Sequence, residues 1–227
     1  MAKAYATKRW EMALLLFSGL LILYTLRVNM SVAAQKMRSD LHWSETDKGY
    51  VLSSFYWGYT LGQIPAALFA QHYGAKWLFG LSVALPSFLT LLVPMACAHS
   101  LQAALLIRVL IGFFESASFP ALYHFFPIWV PTPEKTFTIP FIVSGIYVGE
   151  IVGFSLSGVL VDSTLTIGGT FCGGWPSVFY VFGTLGLLWF PLWVLWAFET
   201  PEEHPGITPE ELAYLGCSTS HGILSGG

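Results

Sequence analysis

The chain predicts an all-α membrane protein built as a bundle of six transmembrane helices. Three observations lead there. Hydrophobic residues make up 55% of the 227 residues and charged residues only 10%, where a soluble domain carries about 25% charged. Six apolar runs reach the roughly 20 residues that a spanning helix needs. The runs are separated by polar, Gly-bearing or Pro-bearing breaks.

The first nine residues are basic, with Lys3, Lys8 and Arg9. The apolar run at 10–34 that follows exceeds the ~7–15 residues of a signal h-region and reads as a first span. The polar break 35–48 holds six charges. The second span covers 49–70 and ends at 71–76, which contains Tyr73-Gly74. The third covers 77–97, and His99-Ser100 marks a tight turn. The fourth covers 101–126, with three prolines in 127–135 to end it. The fifth covers 137–161, the stretch 162–174 is Gly- and Thr-rich, and the sixth covers 175–198. Residues 199–227 form an acidic, hydrophilic tail or the start of a central loop. The organisation is therefore 1–9 as a cytoplasmic N-terminus, 10–198 as the membrane bundle and 199–227 as the tail.

An even number of spans leaves both ends on one side. Lys3, Lys8, Arg9, Lys76 and Lys135 then face one compartment and Lys36, Arg38 and Lys48 the other. Positive residues favour the cytoplasm, so the ends are expected there. A net charge of −3 supplies no basic face for nucleic acid. Cys97, Cys172 and Cys217 lack metal-ligand spacing. Cys97 and Cys172 would share the outer face, where a disulfide and two packing thiols are both open readings. Asn29 starts a formal glycosylation sequon, but inside the first span it does not reach the lumen.

Three charges interrupt membrane-grade sequence: Arg27 in the first span, Arg108 and Glu115 in the fourth. Each costs about 2.5–3.5 kcal/mol at the centre of a spanning helix on insertion scales, so each needs a cavity, a partner or a ligand. Helical rise puts Arg27 about 25 Å along its outward helix and Arg108 about 10 Å below the outer end of an inward one. The two arginines thus fall at similar depth. Glu115 lies two turns below Arg108, on the same face and about 10 Å deeper. Guanidinium forks bind oxyanions bidentately. The functional reading is an anion site at Arg27 and Arg108, with Glu115 coupling to a cation. The alternative is an ion pair that only joins two helices.

Gly145, Gly149 and Gly153 form a small-xxx-small ladder that reads as a packing device. Glu150, beside it, either lines the cavity or pairs with a neighbouring helix. Tyr24, Tyr56 and Tyr59 are candidates to line the cavity, although Phe55, Tyr56, Trp57 and Tyr59 also suit plain packing. No Walker, Gly-x-Ser-x-Gly, His-Glu-x-x-His or Cys-x-x-Cys motif occurs. A membrane-embedded enzyme would have only Glu115 and Glu150 to work with, so no enzyme and no cofactor are expected.

Ordered short motifs give a resemblance. They are Tyr24-x-x-Arg27-x-x-x-Ser31-Val32-Ala33, then Gly49-Tyr-Val-Leu-Ser-Ser-Phe-Tyr-Trp57-Gly58-Tyr59 with Gln63-Ile64-Pro65. Next come Arg108-Val-Leu-x-Gly112-x-x-Glu115, Phe119-Pro120-Ala121, Trp129-x-Pro131 and Gly174-Trp175-Pro176. Through them the chain resembles the N-terminal half of a major facilitator transporter of the anion:cation symporter family, which includes sialin, the vesicular glutamate transporters and the sodium/phosphate cotransporters. The resemblance implies half of a major facilitator fold, made of two three-helix repeats. It implies symport of a small organic anion or phosphate by alternating access, with a proton or sodium ion as the coupling ion. It assigns Arg27 and Arg108 to the substrate and Glu115 to coupling.

The vesicular glutamate transporters have a histidine where this chain has Leu52, so glutamate is not the favoured substrate. Glu150 stands where the family is usually uncharged. The expected partners are a small anion, the bilayer and either a C-terminal six-helix half or a second copy. The alternative is a truncated, non-transporting fragment that acts only by assembling with other helices. The expected location is the plasma membrane or a lysosomal or vesicular membrane.

Overall fold

The computed structural model describes residues 8–162, 166–167, 170–171 and 173–224. Six long helical columns form it. They are α1 (Lys8–Asp40), α2 (Glu45–Tyr73), α3 (Ala75–His99), α4 (Leu101–Glu115) continued by α5 (Ser118–Trp129), α6 (Lys135–Val161) and α7 (Trp175–Trp196). Five of them are long and apolar enough to cross a membrane. The other, α2, is 29 residues long but carries Ser53, Ser54, Thr60 and Gln63 along its length. A two-residue antiparallel pair, Thr166–Ile167 with Thr170–Phe171, follows α6. After α7 the chain makes a short 3-10 turn and then forms α8 (Pro209–Leu224).

Three helix pairs dominate the packing: α1 with α6, α2 with α4, and α3 with α7. Numbered as two repeats of three columns, the first of each repeat packs on the second of the other, and the two thirds pack together. That pattern is what a pseudo-two-fold relation between inverted repeats produces. Glycine makes two of the contacts possible. A β-carbon at Gly145 or Gly149 would collide with the carbonyl oxygen of Phe17 or Leu21, and one at Gly153 with Val28. The ladder therefore lies flat on α1. Gly58 and Gly112 do the same between α2 and α4, where a β-carbon would meet the carbonyls of Val109 and Phe55. Large apolar side chains remain exposed on the outside, among them Leu61 and Ile64 on α2 and Tyr147 and Ile151 on α6. Faces of this kind suit lipid or another helical surface rather than water.

The fourth column differs from the sequence reading in two places. The fourth column is not continuous, because it breaks at Ser116–Ala117. Pro120 has no N–H to offer the Ser116 carbonyl four residues back, and its ring crowds that carbonyl. The hydroxyls of Ser116 and Ser118 donate to the carbonyls of Phe113 (2.7 Å) and Glu115 (2.8 Å) at the break. The column then runs through Pro127 and stops at Val130, which is extended because Pro131 follows it.

The face bearing the N-terminus is tied together by carboxylates on helix starts. Glu199 accepts from the first backbone N–H groups of α3, those of Ala75 (2.7 Å) and Lys76 (2.8 Å). Gly74, with φ +84, sits directly against that carboxylate. Glu211 of α8 does the same for α1, accepting from Lys8 N and Arg9 N at 3.1 Å each. Arg9 also pairs with Glu134 at 3.0 Å. Cys97 is a buried free thiol, and Cys172 lies outside the described residues.

Candidate substrate cavity

Two apolar clusters fill the bundle, one around Leu16, Phe79, Phe125 and Trp193, the other around Met30, Phe55, Val93 and Ile107. The intramembrane charges lie at their seam. Each helix delivers its residues on one face. α1 brings Tyr24, Arg27, Val28 and Ser31, and α2 brings Leu52, Phe55, Tyr56 and Tyr59; both sets follow an i, i+3, i+4, i+7 spacing. α4 contributes Arg108 and, two turns on, Glu115. α6 contributes Glu150 and Phe154. A cavity of about 420 Å³ opens among Arg27, Arg108, Glu150, Phe55, Tyr56 and their neighbours.

Arg27 is the hub. Its Nη2 and Nε both donate to one oxygen of Glu115, Oε2, at 3.0 and 3.2 Å. Its Nη1 donates to the Tyr24 hydroxyl at 3.2 Å. The guanidinium also lies over the rings of Tyr24, Phe55 and Tyr59, 4.5 to 5.1 Å from their centroids. These contacts hold the group in place and reduce the cost of its charge. Glu115 is buried, and its second oxygen, Oε1, has no hydrogen-bond partner.

Arg108 is treated differently. It is only 4% exposed. Among the described residues it has no ion pair, and its Nε has no hydrogen-bond partner. Among the described residues its one cation–π contact is the Phe55 ring, at 5.2 Å. One aromatic ring thus stands beside both guanidiniums. Arg108 and Glu115 share a helix face, yet the carboxylate reaches across to α1 rather than up its own helix. The consequence is arithmetical: Arg27 is neutralised, and Arg108 is left as a buried positive charge facing a cavity.

The remaining candidates divide. Glu150 lines the cavity, half-buried, without a hydrogen bond or ion pair among the described residues. Tyr56 lines it and is largely exposed. Tyr24 and Tyr59 do not border the open volume but brace Arg27, with Tyr59 stacked on Phe55 at 5.8 Å. Sequence reasoning left Phe55 among the packing aromatics. Its position one turn before Tyr59, on a helix facing two arginines, was the available signal. A larger hollow of about 710 Å³ lies between the ends of α1 and α7. Its charged Lys8 and Glu11 bond each other at 2.7 Å, so it offers no unmatched charge.

Known proteins share this architecture. The sequence model of the Major Facilitator Superfamily matches residues 15–225. The chain is 36% identical over 204 residues to the chloroplastic ascorbate transporter of Arabidopsis thaliana, covering 90% of this chain and 36% of that protein. It is 37% identical over 220 residues to the chloroplastic sodium-dependent phosphate transport protein 1 of the same plant, covering 96% and 41%. It is 30% identical over 223 residues to vesicular glutamate transporter 2 of Homo sapiens, covering 92% and 37%. Among solved structures, a bacterial homolog of the human lysosomal transporter Spinster, inward-facing and unoccupied, superposes with a TM-score of 0.76 at 22% identity. That match covers 94% of this chain and 48% of the other, and it carries the fold alone. The chain therefore spans about two fifths of the length of these curated relatives.

Proposed function

Since the chain belongs to the Major Facilitator Superfamily, we propose that it supplies the anion-binding half of a transporter that works by alternating access. Small organic anions or phosphate enter the cavity and dock on Arg108, with Arg27 beside it. The observation that carries this reading is the imbalance at the site: Arg27, half-buried, takes the one bonded carboxylate and leaves the buried Arg108 without an ion pair. A buried guanidinium without a partner is costly, and an incoming oxyanion removes that cost. The names of the relatives, an ascorbate and a phosphate transporter among them, support an anionic solute.

Coupling follows from the Arg27–Glu115 pair. A proton or sodium ion arriving at Glu115 weakens its hold on Arg27 and frees that guanidinium for the anion. Cation and anion then load together. The second wall of the path comes from a further six-helix unit, as in other members of the fold. The membrane is a plasma, lysosomal or vesicular one, and the chloroplastic names of two relatives add a chloroplast membrane to that set.

The test uses the full-length transporter in proteoliposomes, with inorganic phosphate and ascorbate as probes. Arg27→Ala abolishes uptake far more than it lowers the amount inserted. Uptake that survives this change would sink the anion-site assignment. Glu115→Gln retains binding but loses accumulation driven by an imposed proton or sodium gradient.

A further inference from the structure

Three charged side chains line the cavity and a fourth, Glu115, bonds one of them, and they are not used alike. Arg27 and Glu115 bond each other. Arg108 and Glu150 border the same 420 Å³ space from α4 and α6, yet they make no ion pair with each other or with any other described residue. One positive and one negative group thus border one space without bonding each other. A simple anion would satisfy Arg108 and leave Glu150 unmatched beside it.

We propose that Glu150 receives a positive group on the transported molecule itself, so that the cavity takes a dipolar solute. Its carboxylate or phosphate binds Arg108 and its ammonium binds Glu150. The inference rests on the anion-transport reading above and narrows its substrate class.

Three further features fit. Gly149, adjacent to Glu150, presses against the Leu21 carbonyl and so fixes this turn of α6 against α1. Glu150 is thereby held at the cavity wall. Phe154, one turn further along α6, and Leu52 and Phe55 on α2 give apolar walls for the carbon atoms joining the two charged ends. Tyr56 and Ser31 add neutral hydroxyls at the same cavity. A volume of 420 Å³ is ample for a solute of amino-acid size.

The test is binding to the full-length protein by calorimetry, with two matched pairs of probes: succinate against aspartate, and ethyl phosphate against phosphoethanolamine. Within each pair the second member adds an ammonium group. In at least one pair the wild type should bind the ammonium-bearing member about tenfold more tightly, the scale of one charge-assisted hydrogen bond. Glu150→Gln should bring that ratio to about one and leave the plain anion no weaker, while Glu150→Asp keeps part of the preference.

Three results overturn the inference: no ammonium preference in either pair, a preference that survives in Glu150→Gln, or an equal loss of both members in that variant. If plain anions still bind and still need Arg108, the anion-transport reading stands and only the dipolar-solute inference falls. If none of the four probes binds, both fall together.

Discussion

The face that carries the N-terminus and the cavity in the opposite half of the bundle are built from the same residue types and use them in opposite ways. At the N-terminal face three carboxylates are matched. Glu199 takes two N–H groups of α3, Glu211 takes two of α1, and Glu134 takes Arg9. Such contacts neutralise helix ends and fix the columns in place. In the cavity the matching stops halfway. One oxygen of Glu115, the Nε of Arg108 and the carboxylate of Glu150 have no hydrogen-bond partner among the described residues. The contrast separates charge that holds a fold from charge kept ready for a ligand.

Substitutions can break that contrast or sharpen it. The largest effect belongs to Arg108→Gln. Anion affinity measured by calorimetry should fall by roughly 100-fold, within the 2–5 kcal/mol seen when one member of a buried charge pair is removed. The melting temperature of the empty protein should hold or rise, because an unmatched buried charge is gone. Equal losses in binding and melting would instead place Arg108 among the structural charges.

Glu211→Gln should show the reverse pattern. It weakens two charge-assisted bonds at the start of α1 and an Arg9 contact, at a cost of about 2 kcal/mol, read as a lower melting temperature with anion affinity unchanged. Glu199→Gln acts in the same way at α3, at about 1 kcal/mol.

The smallest effect lies at the start of α2, outside the apolar spans. There Ser44 and Asp47 form a reciprocal cap, and the Ser44 hydroxyl holds the Asp47 carboxyl below its ordinary range. A depressed carboxyl stabilises above its unfolded pKa, and that support is lost as pH falls through the folded value. Hydrogen exchange at residues 45–48 should therefore quicken below about pH 4, the ordinary aspartate range, and Ser44→Ala should remove that dependence.

Much of the fold was legible because hydropathy is additive along the chain. Six apolar runs with polar breaks locate six columns without knowledge of any contact. The depth of Arg27, Arg108 and Glu115 was legible for a similar reason, since helical rise is fixed. What could not be read was pairing. Spacing alone set Glu115 under Arg108 on one face, and only the approach of α1 to α4 decides that it bonds Arg27. The break after Glu115 had a visible cause in Pro120, and Pro131 marked the end of the column at Val130. The capping of α1 at its start and the docking of α8 depend on Glu211 meeting Lys8 and Arg9. No local pattern signals a contact between residues so far apart.

That last contact sets a timetable for biogenesis. Lys8 and Glu211 are 203 residues apart, so the first helix enters the membrane long before its capping carboxylate exists. At synthesis rates of about 5–20 residues per second, α1 waits roughly 10–40 s with its first N–H groups unmatched. The hydrogen bonds from Lys8 and Arg9 close only once all six columns have been made. A chain cut short before Glu211 would keep every span and leave the first one unfastened, which makes this bond a marker of a finished bundle.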